Sequence, residues 1–244
     1  MTALIDVVDL SAGYVTSGAV TREEPRNSSS IVTSDESPIS LPTQRSYDVR
    51  KHRNGRRLMS KSLPLAQHAN LHFITANLAI GGDIAEDRQL ADFDSLGITH
   101  VIDCRIEWDD TPLFAEHLPH VLYLHHGMDD AGQEVPGEWF DAAIAWIDAA
   151  GPDAVVLTHC HMGINRGPSL GFAVLLHQGW DPIDAIKAIR AARPIAHVWY
   201  AGDALRWHHA RQGTDPHDDL VRLEAWRTSN PLDVVRTIRQ ETRF

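Results

Sequence analysis

The chain has 244 residues, 43% hydrophobic and 23% charged, an ordinary globular composition long enough for one good core plus a tail. Its formal net charge is −11, which argues against nucleic acid or an anionic membrane as partner, and its apolar runs are too short to span a bilayer. Two cysteines, Cys104 and Cys160, are too few for a disulfide framework.

The charge is unevenly placed. Residues 1–62 hold nine Lys/Arg against seven Asp/Glu, and the rest hold thirteen against twenty-six, so the acidity lies in the part expected to fold. Asp6 and Asp9 interrupt the first apolar stretch and no basic run precedes it, so no secretory signal is expected and a cytoplasmic location is. Residues 1–65, with Asn27-Ser28-Ser29-Ser30, Pro25, Pro38, Pro64 and a basic cluster from Arg50 to Arg57, have no lasting period and read as a disordered extension.

Order is expected from about Leu71, with a catalytic domain over 66–213 and a helical extension over 214–244. Phe73-Ile74 and Leu78-Ala79-Ile80 read as short strands, and Gly81-Gly82-Asp83 as a turn. Asp87 to Leu96 reads as an amphipathic helix, with Leu90, Phe93 and Leu96 on one face and Gly97 as its cap. Thr99 to Asp103 follows as a buried strand closed by Cys104, whose default reading is a small buried apolar residue. Glu107 to Pro119 is polar and irregular, with one helical turn expected at Thr111-Pro112. Val121 to Gly132 reads as a further strand followed by a loop. Gly137 to Ala150 is a helix with Phe140, Ile144 and Ile147 on one face.

The breaker Gly151-Pro152-Asp153 precedes the apolar run Ala154 to Leu157, a buried strand, and helical spacing resumes at Leu170, Phe172, Ala173, Leu175 and Leu176. Asp181-Pro182 starts a helix running to about Ala192, and Arg193-Pro194 interrupts it. A further helix is expected over Val198 to Arg211, then two short ones from Asp215-Pro216 and Asn230-Pro231. The alternation implies an α/β fold: a central, mostly parallel sheet of four to five strands flanked by helices.

Between the strand ending near Leu157 and the following helix lies His159-Cys160-His161-Met162-Gly163-Ile164-Asn165-Arg166-Gly167-Pro168-Ser169. A tight loop in that place aims its amides, with the helix dipole, at an anion. The same positive potential lowers the pKa of a thiol at the loop's start, and Cys160 is there. Arg166 opens the helix, where its planar fork can hold two phosphate oxygens opposite the sulfur.

His-Cys, five residues, then Arg, with Gly163 inside, resembles the signature loop of the cysteine-dependent protein phosphatases, and of their dual-specificity branch in particular. The resemblance covers roughly Leu71 to Gly213 and implies a phosphatase-like fold with Cys160 as nucleophile. Arg166 and the loop from His161 through Met162, Gly163, Ile164 and Asn165 would hold the phosphoryl group. By the same resemblance the general acid follows a Tyr-Leu strand and precedes an aromatic pair, Trp139-Phe140. Both spacings fit Asp130, with Asp129 as the alternative, although either Asp also suits a turn cap. His159 is expected to order the loop and help depress the thiol pKa, and Cys104 to lie where some relatives place a cysteine that can bridge to the nucleophile.

The sequence departs from the family in one place: Gly167 stands where a Ser or Thr commonly assists the second step, and Ser169 is the first hydroxyl after it. The expected reaction is hydrolysis of a phosphorylated protein or small phosphomonoester through a phosphocysteine, with no cofactor and no metal; histidine pairs such as His125/His126 lack a third ligand in a known motif. The alternatives are a catalytically inactive phosphate-binding module, a phosphatase of phosphoinositides or other small molecules, and a sulfurtransferase with a similar loop. A phosphoinositide substrate is disfavoured because the loop carries no Lys.

Overall fold

The computed structural model describes residues 69–84, 87–235 and 237, and the expected N-terminal extension with its basic cluster lies outside them. Strands β1 (Leu71–Thr75) and β2 (Leu78–Gly81) form an antiparallel hairpin at one edge. Beyond it β2, β5 (Val156–His159), β3 (His100–Arg105) and β4 (Leu122–Met128) run parallel, giving the order β1-β2-β5-β3-β4. Parallel neighbours need crossovers, and helices α1 (Asp87–Leu96), α2 (Thr111–His117) and α3 (Gly137–Ala150) supply them. The chain then continues through α4 (Arg166–His177), α5 (Pro182–Ala192), α6 (Ala201–Gln212) and α7 (His217–Ser229). This is the expected architecture: a five-stranded, mostly parallel sheet flanked by helices.

Alternation along the strands divides the core into two layers. Leu78, Ile80, Ile102, Cys104 and Val156 face the layer that holds Phe140, Ile144 and the apolar residues of α4, α5 and α6. Ala79, Val101 and Leu157 face the other, with Leu90, Phe93 and Phe114 of α1 and α2. Buried on both sides, β3 and β5 have no exposed position, as befits central parallel strands. Helix α4 is buried from Arg166 to Leu176. Its first turn lies so near β5 that a Cβ on Gly167 would stand 2.9 Å from the Cα and carbonyl carbon of His159. The hydroxyl-bearing residue common after the Arg therefore has no room here.

Several elements differ from expectation for reasons that pattern does not carry. Strand β3 runs on to Arg105, so Cys104 lies inside it, because Arg105 and Asp103 pair as they are buried, Nε to Oδ1 at 2.9 Å and Nη2 to Oδ2 at 2.7 Å. Helix α2 makes about two turns rather than one. Helix α6 starts at Ala201 instead of Val198, which has φ 56°; the N–H groups of His197 and Val198 donate to Ile164 O at 2.7 and 3.3 Å. That segment clasps the loop after β5 and so cannot be helical.

Helix α7 packs on α5: Leu223 is buried in the larger layer, Arg190 lies 5.6 Å from the Trp226 ring centroid, and Arg222 pairs with Asp181 at 2.6 Å. After Asn230-Pro231 the described chain shows one helical bond, Thr237 N–H to Asp233 O at 3.0 Å. Among the described residues no helix is long and apolar enough to cross a membrane.

Candidate active site

The segment from Cys160 to Asn165 curls between the end of β5 and the start of α4. Its carbonyls are taken from outside. Asp83 N–H donates to His161 O at 2.8 Å, and Arg193 reaches Met162 O with Nη2 at 2.8 Å and Gly163 O with Nε at 2.7 Å. Ile164 O receives the two amides ahead of α6 described above. With the carbonyls bound outward, the amides are left inward. Among the described residues, none of the N–H groups from His161 to Arg166 donates a hydrogen bond within the chain. A run of amides without acceptors in the chain, at a helix N-terminus, suits an oxyanion. Gly163 makes the curl possible: its φ is +62°, and a Cβ there would stand 2.5 Å from the Arg193 guanidinium and 2.6 Å from Gly81 O.

Cys160 begins this loop, 2% exposed, with its N–H on Gly81 O at 3.4 Å. Arg166 ends it, 3% exposed. Nη1 and Nη2 of Arg166 donate to Glu107 Oε2 and Oε1 at 2.6 and 2.8 Å, and Nη1 also to Met128 O at 3.0 Å. Its Nε is buried without a hydrogen bond, 3.5 Å from Asp130 Oδ2. Burial opposes the Arg166 charge, but the Glu107 hydrogen bond and the charges of Cys160, Glu107 and Asp130 raise its pKa above the usual value. The same pair holds Glu107 at about 2, so that carboxylate is ionised at any working pH.

Asp130 projects over the loop from the turn after β4. Its Oδ1 accepts from Asn165 Nδ2 at 2.6 Å and from the Tyr200 hydroxyl at 3.1 Å, which leaves Oδ2 on the side of Arg166. Asp129 is otherwise employed: its Oδ1 caps Asp130 N–H at 2.8 Å. The Ser169 hydroxyl lies on the first turn of α4, donating to Asn165 Oδ1 at 3.4 Å and accepting from Tyr200 N–H at 3.2 Å. It supports the residues that hold Asp130.

His159 is fully buried, 3.7 Å from Asp103 Oδ1, and burial lowers its pKa to about 4. It is therefore neutral at pH 7 and acts on the loop through packing, not through a positive charge. Beneath it Arg105 joins Asp83, Asp103 and Asp110, and Tyr123 donates to Asp103 Oδ2 at 2.7 Å. Asp103, Asp110 and His159 offer ligand atoms within 4.8 Å of one another, but Arg105 already occupies the two carboxylates. Cys104 lies one strand over from the strand that leads to Cys160; its thiol is unlinked, and burial, with Cys160 and Asp103 nearby, pushes its pKa well above the usual value.

The predicted residues Cys160, Arg166 and Asp130 thus converge with the amides of the loop, while Asp129 and Ser169 act one bond away. Sequence reasoning missed Glu107, Tyr200 and Arg193. Arg193 was visible only as part of an Arg-Pro turn, and nothing local marked the other two.

No protein-family model matches the chain, and no curated relative does. Solved structures resemble it at low identity. A mouse dual specificity phosphatase complexed with zinc tungstate is 20% identical with a TM-score of 0.51, over 63% of this chain and 96% of that one. PTPMT1 in complex with PI(5)P is 16% identical at 0.50, over 59% and 97%. A mutant form of Tk-PTP is 19% identical at 0.50, over 59% and 97%. The likeness shows a shared fold: the chain has the architecture of the dual-specificity branch of the cysteine-dependent phosphatases.

Proposed function

We propose that this protein is a phosphomonoester hydrolase that acts on phosphorylated proteins through a phosphocysteine at Cys160. The observation that carries the reading is the convergence of donors without hydrogen bonds at the end of the loop that Cys160 begins: the loop amides and the buried Nε of Arg166, which has only the Asp130 carboxylate 3.5 Å away. An inert structural loop would have satisfied them internally.

In the first step the Cys160 thiolate attacks phosphorus in line; the S–P bond forms as the P–O bond to the leaving group breaks. Arg166 and the loop amides hold the three equatorial oxygens, where negative charge is greatest. Asp130 gives its proton from Oδ2 to the departing oxygen, since Asn165 and Tyr200 both donate to Oδ1. In the second step water attacks phosphorus, Asp130 takes a proton from it, and the S–P bond breaks to release phosphate and restore the thiolate. The scheme needs no cofactor.

The inactive-module alternative loses ground because Cys160, Arg166 and a held carboxylate are all in place. The test is turnover of p-nitrophenyl phosphate. The native protein should hydrolyse it and Cys160→Ser should not. Asp130→Asn should slow alkyl phosphates by about a hundredfold or more, and aryl phosphates, which leave more easily, by less. Turnover that survives Cys160→Ser would contradict the scheme.

A further inference from the structure

Large apolar side chains stand exposed beside the residues that build the loop. Ile106 and Trp108, 60% and 58% exposed, flank Glu107, the partner of Arg166. Met162, 44% exposed, belongs to the loop itself, and Trp199, 58% exposed, donates its backbone N–H to Asn165 Oδ1 at 2.7 Å. Trp108 lies nearly parallel to the His161 ring, with centroids 6.1 Å apart, and Trp199 does the same with His197 at 5.2 Å. Side chains of this size left in water around a polar cradle mark contact with the organic part of a ligand.

The charges on the same rim have one sign. Glu107, Asp109, Asp129 and Asp130 are exposed on the two segments that frame the loop. The cations nearby, Arg105, Arg166 and Arg193, are all buried, each bonded to protein groups. Among the described residues, no exposed Lys or Arg lies on 105–110, 125–133, 160–166 or 197–200. The cradle itself, with the loop amides and the buried Nε of Arg166, which makes no hydrogen bond, has donors for one oxyanion. A second phosphate on the same substrate would meet carboxylates.

Resting on the hydrolase reading above, we propose that the rim selects singly phosphorylated tyrosyl segments whose neighbouring residues are apolar or basic, and rejects a second phosphate or an acidic flank. The aromatic ring of the substrate lies between the exposed tryptophans, and basic neighbours face Asp109 and Asp129. A phosphoinositide headgroup, which carries further phosphate on a polar ring, suits neither feature.

The experiment measures kcat/KM on the full chain with phosphotyrosyl peptides that differ only in flanking Lys, Ala or Glu. It adds a doubly phosphorylated version, vesicles of phosphatidylinositol phosphate in phosphatidylcholine, and p-nitrophenyl phosphate as reference. The expected order is Lys over Ala over Glu, with the doubly phosphorylated peptide and the vesicles slowest. The spread should be about tenfold at low salt, should shrink at about 0.5 M salt, and should narrow in Asp109→Asn, which keeps the cap acceptor but removes the charge. Equal rates across the flanks, or faster turnover of the doubly phosphorylated peptide or the vesicles, would overturn the proposal while p-nitrophenyl phosphate turnover left the hydrolase reading standing. Failure to hydrolyse p-nitrophenyl phosphate would overturn both.

Discussion

With Nη1 and Nη2 of Arg166 on Glu107, and Nη1 also on Met128 O, the guanidinium is fixed with its Nε turned toward Asp130 Oδ2 at 3.5 Å and making no hydrogen bond. In the proposed reaction Glu107 positions Arg166 as the phosphate clamp. In Glu107→Gln one of the two acceptors becomes an NH2 that opposes Nη, and the clamp loosens. The variant should bind tungstate about tenfold more weakly and show a higher KM with a smaller change in kcat, as inhibition and steady-state kinetics will show. Unchanged or tighter tungstate binding would mean that Glu107 competes for the fork. Cys160, Gly163 and Arg166 were legible because the chemistry fixes their spacing within one loop. Glu107 bonds Arg166 across 59 residues, Arg193 bonds Gly163 across 30, and Tyr200 bonds Asp130 across 70, so no local period announces them.

Apolar periodicity found most of the elements, and their errors have a common cause. Strand β3 outlasts its apolar run because Asp103 and Arg105 neutralise each other in the interior, and α6 starts late because His197 and Val198 serve Ile164. The first rests on a charge pair within the strand and the second on a loop before α4, and apolar periodicity registers neither. The register of β3 on β5, with Asp103 opposite His159, brings Cys104 beside Cys160 on the same face of the sheet. Oxidation of Cys160 by a hydroperoxide would give a sulfenic acid, and attack of the Cys104 sulfur on it would form the disulfide with loss of water. Peroxide-treated protein should yield a linked 104–160 peptide by mass spectrometry and recover activity with dithiothreitol. A singly oxidised Cys160 with Cys104 left free would exclude the bridge.

At the scale of the whole molecule, the order of strands and crossovers was readable because parallel sheets admit few connections. Its acidity, too, was readable, whereas the burial of its histidines was not. His72, His100, His126, His159, His197 and His208 all have pKa values lowered by burial, His159 to about 4. For such groups the unfolded chain binds protons that the folded one refuses. Their contribution is intact above the unfolded pKa near ~6.5 and is lost as pH falls toward the folded value. His159 alone should cost about 2 kcal/mol between pH 7 and pH 5. Urea denaturation should therefore show stability falling over that interval, with a shallower fall in His159→Asn; parallel profiles would mean that His159 binds its proton equally well in the folded and unfolded chain.

The most direct measurement is acid-quenched mass spectrometry of the protein during turnover of an aryl phosphate. The peptide containing Cys160 should carry one added phosphoryl group, enriched in Asp130→Asn, where the second step is slowed, and absent in Cys160→Ser. Sustained turnover with no phosphoryl group on Cys160 in either the native protein or Asp130→Asn would contradict the mechanism.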